Sequence, residues 1–271
     1  MSLPEIVVRV QGGGDLGSGV AHRLHRAGFG VLVAEIPQPL TVRRAVSFSE
    51  AVYAGSITVE GVTARRVSSP AAAISCLAAG EIPVLAAVDD GSMGQLACPI
   101  LVDARMKKVP SGSSQSDASL VVGLGPGFVV GENCHAVVET HRGHNLGRVY
   151  WQGSAESDTG QPEAVLGLTH LRVLRAPKEG KFAVCKQIGD PVLAGETVAL
   201  VEGEPVIARC QGVVRGLLHA GLPVTVGMKV GDVDPRGVRE YCFTISDKAR
   251  AIGGGVLEAI LTGQDLWRPK H

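Results

Sequence analysis

The chain has 271 residues, with 26 Lys and Arg against 26 Asp and Glu, and six cysteines without a CxxC pair. That length suits one large or two modest domains. A zero net charge excludes the clustered basic excess that phosphate-backbone binding needs; scattered thiols exclude a disulfide framework or a tetrahedral zinc site and point to a reducing cytosol. No apolar run is long enough to span a bilayer, and Met1-Ser2-Leu3-Pro4 lacks the basic start of a signal peptide. The expectation is a cytoplasmic protein with neither nucleic acid nor membrane as a partner.

Residues 6–10 form a β-branched run that ends in Gly12-Gly13-Gly14. Helical spacing of Val20, Leu24 and Ala27 follows, Gly28 stops it, and residues 31–34 are a second apolar strand. Residues 43–54 read as a helix and 56–67 as an alternating strand or ribbon. Ser69-Pro70 opens an alanine-rich helix to Ala79, with proline where its missing N–H is harmless. Apolar strands are predicted at 84–88, 100–102 and 120–122. Short apolar strands alternating with helices imply an α/β domain over 1–130, a Rossmann-like doubly wound parallel sheet.

Residues 108–119 are polar, with Pro110, Gly112 and five serines, and read as a mobile loop or lid. A Gly- and His-rich connector over 131–163 carries one strand at 136–139. Residues 164–235 read as short β segments between glycine turns. Gly189-Asp190-Pro191-Val192-Leu193-Ala194-Gly195 is echoed by Gly221-Leu222-Pro223-Val224-Thr225-Val226-Gly227. That quasi-symmetry resembles the barrel-sandwich hybrid of biotinyl and lipoyl domains. The hairpin that would carry a modified lysine is Glu202-Gly203-Glu204-Pro205, which has none, so a packing or docking module is expected. Within the last segment, 236–271, a helix over 249–261 contains Gly253-Gly254-Gly255. Such a run lets another backbone, a ligand or the second copy of a homodimer come close.

Four constellations carry candidate chemistry. Gly12, Gly14 and Gly17 fill a GxGxxG pattern after a strand and at the start of a helix, with Asp15 and Ser18 in the loop. A tight turn, a close backbone and free helix N–H groups are what a phosphate needs. Glu35 ends the next strand, where an acid accepts a ribose hydroxyl. Asp15 fits a pyrophosphate poorly and suits a cation, a helix cap or the edge of a base or pterin ring. Gly123, Gly125 and Gly127 follow the strand at 120–122 as a second anion nest or a plain tight turn. Glu139-Thr140-His141-Arg142-Gly143-His144 leads to Arg148, with Cys134-His135 upstream. Arg142 and Arg148 suit a phosphate clamp, and the HxxH spacing matches no zinc framework. Asp232 and Asp234 read as an Asp-Pro turn or a divalent-cation pair. Lone cysteines such as Cys98 and Cys242 read as small core residues.

Together these motifs resemble the selenium-dependent molybdenum hydroxylase accessory family, called YqeB-like. The resemblance is carried by Gly12 to Gly19, Glu35-Ile36-Pro37, Pro39-Leu40, Arg43-Arg44, Val46 to Ala51, Val102-Asp103-Ala104-Arg105-Met106 and Gly123 to Phe128. Further stretches are Glu139 to Arg148, Gly231 to Arg236, and Ile245 to Glu258. It runs nearly end to end. In its Rossmann-like part the family is similar to the xanthine dehydrogenase accessory factors, which bind molybdenum cofactor and help sulfurate and insert it. The resemblance implies a maturation factor for a molybdenum hydroxylase client, binding a molybdopterin-type cofactor or a nucleotide, NAD among them. It supplies no catalytic residues. The alternatives are an NAD-dependent oxidoreductase, with Glu35 favouring NAD over NADP, and a non-catalytic scaffold with a vestigial cradle.

Overall fold

A computed structural model describes residues 6–86, 96–107, 112–158, 160 and 164–268. The chain divides into two compact units, one of residues 1–39, 48–158 and 245–271, the other of residues 40–47 and 159–244. Among the described residues, no helix is long and apolar enough to cross a membrane.

The first unit is built on a nine-stranded sheet. Its strands are β1 (Val7–Gln11), β2 (Gly30–Glu35), β3 (Ser56–Val59), β4 (Val62–Val67), β5 (Ile82–Ala86), β6 (Ile100–Asp103), β7 (Leu120–Leu124), β8 (Ala136–Val138) and β9 (Val149–Tyr150), in the spatial order β3-β4-β5-β2-β1-β6-β7-β8-β9. From β4 to β8 neighbours are parallel, and β3 and β9 close the two edges antiparallel. The helices are α1 (Asp15–Arg26), α2 (Ala51–Ala54), α3 (Pro70–Ala78), α4 (Asp247–Thr262) and α5 (Gln264–Trp267). Ser69 caps α3, accepting the Ala72 N–H, and Pro70 takes its first position.

Strand alternation gives the sheet two apolar faces. On one, α3 covers Leu32, Val67 and Leu85, while Leu101, Val121 and Val137 are covered by Phe128, Cys134 and Ala155 from loops. On the other, α4 packs over Val138 and beside α1. The two helices meet backbone to backbone. A Cβ at Gly19 would lie 2.6 Å from the Ala249 Cβ, and one at Gly253 would lie 3.0 Å from the Gly19 carbonyl oxygen. Gly255 meets the Gly147 carbonyl in the same way, whereas Gly254 faces open space. Two glycines of the Gly253–Gly255 run are thus used inside the chain's own fold.

This corrects the expected fold class. The sheet is mixed, not a Rossmann-like doubly wound parallel sheet. The GxGxxG pattern governs only one strand, turn and helix, whereas each edge is an antiparallel pair of consecutive strands, β3 with β4 and β8 with β9. Residues 56–67 fold into an antiparallel hairpin, and among the described residues the links from β6 to β7 and from β7 to β8 hold no α-helix, which double winding needs. The C-terminal helix is no appendix to a β domain, because α4 completes the first unit's core. The helix expected over 43–54 is broken into two single turns, Arg44–Val46 and Phe48–Glu50, and the short α2. The chain crosses between the two units within that stretch. Residues 87–88 of one expected strand and 108–111 of the expected lid lie outside the described residues; Ser113 is buried.

The second unit corrects the barrel-sandwich expectation. It consists of two four-stranded antiparallel sheets. One holds β10 (Val173–Arg175), β17 (Lys229–Asp234), β15 (Gly212–Leu217) and β12 (Pro191–Val192) in that order. The other holds β14 (Glu204–Ile207), β13 (Thr197–Val201), β11 (Gly180–Val184) and β16 (Pro223–Val224). Register breaks interrupt β10/β17, β13/β14 and β15/β17. The echoed Pro-Val pairs are β12 and β16, each at the edge of its own sheet, where a missing N–H is tolerated. The repeat thus records two similar edges, and which strands pair is set by contacts far apart in sequence.

Glycines of α1 and α4 give opposite expectations. Gly19→Val overpacks the crossing and lowers stability by about 1–3 kcal/mol, while Gly254→Ala, at an open position inside a helix, raises it by about 1 kcal/mol. Thermal denaturation of the two variants against the parent checks both signs.

Candidate functional site

The parallel strands of the first unit end at one edge, where sheets of this kind present ligand-binding loops. There β1 turns through Gly12 to Gly14 into α1, β2 ends at Glu35, β6 at Asp103, β7 at Leu124, and β8 leads into Glu139.

The first turn is held by its own backbone. Gly12 has φ +92° and donates its N–H to the Ala34 carbonyl at 2.8 Å. A Cβ there would lie 3.0 Å from the Ala104 carbonyl oxygen, and one at Gly13 would lie 2.9 Å from the Ser49 nitrogen. A Cβ at Gly17 would fall onto the Gly12 carbonyl oxygen. Ser18, fully buried, donates to the Gly13 carbonyl at 2.8 Å and accepts the Phe48 N–H at 2.7 Å. Gly14 is the N-cap of α1 in an extended conformation, with no side-chain cap. Asp15 places a carboxylate in the first turn, where the helix dipole favours it.

Glu35 closes on this turn. Its Oε2 accepts the Gly13 N–H at 2.7 Å and its Oε1 the Ile36 N–H at 2.8 Å. Burial pushes the carboxyl above its ordinary range, and these two amides pull back only part of the way. The Tyr53 hydroxyl donates to the Pro39 carbonyl at 2.9 Å. Burial, then the nearby charges of Glu50 and Glu35, raise its pKa.

Next to Gly12 lies a feature that motif reading did not place in the site. Asp103, fully buried, accepts the Arg105 backbone N–H at 3.1 Å and Nε at 3.0 Å on Oδ1, and a terminal guanidinium N–H and the Ser113 hydroxyl on Oδ2. Arg105 also donates to Ser113 Oγ at 2.8 Å. Burial raises the Asp103 carboxyl, but the Arg105 and Ser113 hydrogen bonds outweigh it and hold the group below its ordinary range. The following residue, Met106, is 38% exposed and has φ +52°, a left-handed conformation that costs a non-glycine residue about 1–2 kcal/mol. The sequence signal for this clasp was an Asp-x-Arg directly past an apolar strand.

The remaining candidates are engaged otherwise. Gly125, at φ +71°, donates its N–H to the Val138 carbonyl at 2.9 Å, Gly123 lies under the Phe128 ring, and the Gly127 carbonyl accepts from Asn133 at 3.1 Å. Packing alone accounts for this second turn. Glu139, fully buried, accepts the N–H groups of Thr140, His141 and Glu156. His141 Nδ1 lies 2.7 Å from Glu156 Oε2. Arg142 makes a two-point ion pair with Asp247 at the start of α4, at 2.6 and 3.0 Å, while Arg148 and His144 are exposed. In the second unit Asp232 pairs with Arg172 at 3.2 Å and Asp234 with Arg236 at 2.6 Å, so arginines hold both aspartates. Among the described residues no three His, Cys, Asp or Glu side chains gather as a metal site. Burial pushes the Cys134 thiol up to about 12 and raises Cys98 and Cys242, which suits core residues. The structure thus gathers Gly12, Gly14, Asp15, Gly17, Ser18 and Glu35 in one turn, adds Arg105, and leaves Arg142 tied to a helix end.

No protein-family model matches the chain. Over 255 residues it is 44% identical to the uncharacterized protein YqeB of Escherichia coli (strain K12), a match covering 94% of this chain and 47% of that protein. The chain is YqeB-like in sequence. It spans about half the length of this curated relative. Among solved structures it is similar to an aspartoacylase family protein from Mesorhizobium loti, at 11% identity over 84% of each chain with a TM-score of 0.27. It is also similar to a succinylglutamate desuccinylase from Silicibacter sp. TM1040, at 13% identity over 84% of each chain with a TM-score of 0.25. Scores this low carry nothing across to this chain.

The clasp sets a pH dependence. The Asp103 pKa is lower in the folded than in the unfolded chain, so its stabilisation is complete above the ordinary carboxyl value of about 4 and fades as the pH falls through the folded value. Asp103→Asn is expected to cost about 2–3 kcal/mol at pH 7 and to flatten the acid loss of stability below about pH 4. Urea denaturation across that range, on parent and variant, measures both.

Proposed function

We propose that this chain is an accessory, maturation-type protein for a selenium-dependent molybdenum hydroxylase, and that it holds a molybdopterin-type or nucleotide cofactor at the turn between β1 and α1. One observation carries the binding half. A glycine turn opens a helix that has no side-chain cap, at the ligand-bearing edge of a parallel sheet, with Glu35 on the turn and the clasped Arg105 beside it. The molybdenum half rests on the family resemblance of the motifs.

The residues present fit such a group. The uncapped first turn of α1 offers N–H groups and a positive dipole to phosphate oxygens. Arg105, fixed from behind by Asp103, supplies a positioned cation at low entropic cost. Asp15 and Glu35 are acceptors, which suits the N–H edge of a pterin or the hydroxyls of a ribose better than it suits bare phosphate. A ligand hydroxyl that donates to Glu35 leaves the Glu35–Gly13 bond in place. The bound cofactor itself would supply the redox chemistry of the client enzyme; this chain's residues bind and orient it.

A second reading, a scaffold with a closed cradle, is favoured by the saturation of Gly13. Its N–H is taken by Glu35 and its carbonyl by Ser18 and Ser49. Mass spectrometry of small molecules released from the purified protein separates the two. A pterin or nucleotide is expected in the parent and is depleted at least tenfold in Arg105→Gln. NAD as the released species would shift the assignment to a dinucleotide site. An empty parent that also binds neither molybdenum cofactor nor any nucleotide at micromolar concentration would leave the scaffold.

A further inference from the structure

The second unit contains a cleft of about 520 Å³ that the proposed cofactor role does not use. Its walls are Pro191, Val192, Leu193 and Pro235, and its polar groups are Lys186, Glu196, Gln211 and Arg236. The volume falls within the range of small-molecule sites, about 300–1,000 Å³, and apolar walls with a few convergent polar groups are what such sites show.

Arg236 is built into this cleft by the same device that holds Arg105. Asp234, 1% exposed at the end of β17, accepts the Arg236 backbone N–H at 3.1 Å, its Nε at 2.9 Å and a terminal N–H at 2.6 Å. The guanidinium also lies over the Tyr241 ring, 4.6 Å from its centroid. A side chain gripped by a buried carboxylate and an aromatic face has lost its rotamer freedom before any ligand arrives, so binding to it sacrifices little entropy. Lys186 faces the same cleft and bonds Glu196 at 3.2 Å. Both partners are about one-third exposed, and a pair so open to water is worth little and opens readily to a competing anion. The lining presents the cations of Lys186 and Arg236 and the carboxylate of Glu196, while Asp234 holds Arg236 from behind, does not line the cleft and offsets part of its charge. Leu193, 62% exposed, extends the apolar wall outward.

We propose that this cleft binds a small organic acid, a monocarboxylate with a compact apolar body, with the carboxylate between Arg236 and Lys186 and the body against Pro191, Leu193 and Pro235. One charged end and apolar walls favour that class over inorganic phosphate, which leaves the walls unfilled.

Titration of the ¹⁵N-labelled full chain with benzoate tests it. Saturable shifts are expected at the Gly212 and Gly237 amides and the Gln211 side-chain amide, with benzyl alcohol, the same body without the charge, binding at least tenfold more weakly. Lys186→Met should weaken benzoate at least threefold. Leu193→Asp, at an exposed wall position, should weaken it at least tenfold while the remaining spectrum stays that of the parent. The proposal is overturned if benzoate leaves these three amides unmoved, if benzyl alcohol binds as well, or if Leu193→Asp changes nothing. It is equally overturned if inorganic phosphate shifts them at concentrations where benzoate does not.

Discussion

The first unit depends on a line of backbone contacts that tolerate no side chain. Gly17 sits on the carbonyl of Gly12, Gly13 on the backbone of Ser49, and Gly19 against Ala249 and Gly253 of α4. These contacts let α1 start inside the turn after β1 and let α4 lie against it. Interiors are close-packed and deform little, so one methyl group at any of these positions must displace backbone. The helix that opens the candidate site and the helix that completes the core are thus positioned by the same glycines.

That dual use changes the meaning of a glycine-rich fingerprint. Gly12, Gly13 and Gly17 each have a packing partner within the chain, and Glu35 already occupies the Gly13 amide. What remains for a ligand is the uncapped first turn of α1 with the groups around it. Among these is Arg105, whose backbone passes Gly12 and whose guanidinium is clasped by the buried Asp103. An Asp-x-Arg clasp recurs at Asp234 and Arg236 in the second unit. In both places a buried aspartate at a strand end converts a flexible arginine into a fixed donor, the arrangement recognition of an anion rewards.

Several elements were legible along the chain because their signals are local. The β1–turn–α1–β2 run follows from a β-branched segment, glycines at the turn and helical spacing behind them. Ser69-Pro70 announces the start of α3, and alternation over 56–67 announces extended structure there, though not its fold into two strands. The break in the helix expected over 43–54 was not legible, because it reflects the passage of the chain between two compact units. Nor was the fate of Arg142, whose partner Asp247 stands 105 residues further on.

The sequence alone determined where the chain turns, which segments are apolar enough for buried strands, and that an acid follows the glycine turn at the end of β2. These are properties of a residue and its near neighbours, set by backbone sterics and period. Only the tertiary structure decided the order of the parallel strands in the sheet, the return of α4 to the first unit, the pairing of the β segments in the second, and the arrival of Arg105 beside the glycine turn. Each of those outcomes requires the burial of surfaces contributed by distant parts of the chain, and no local pattern encodes which of the available partners will provide it.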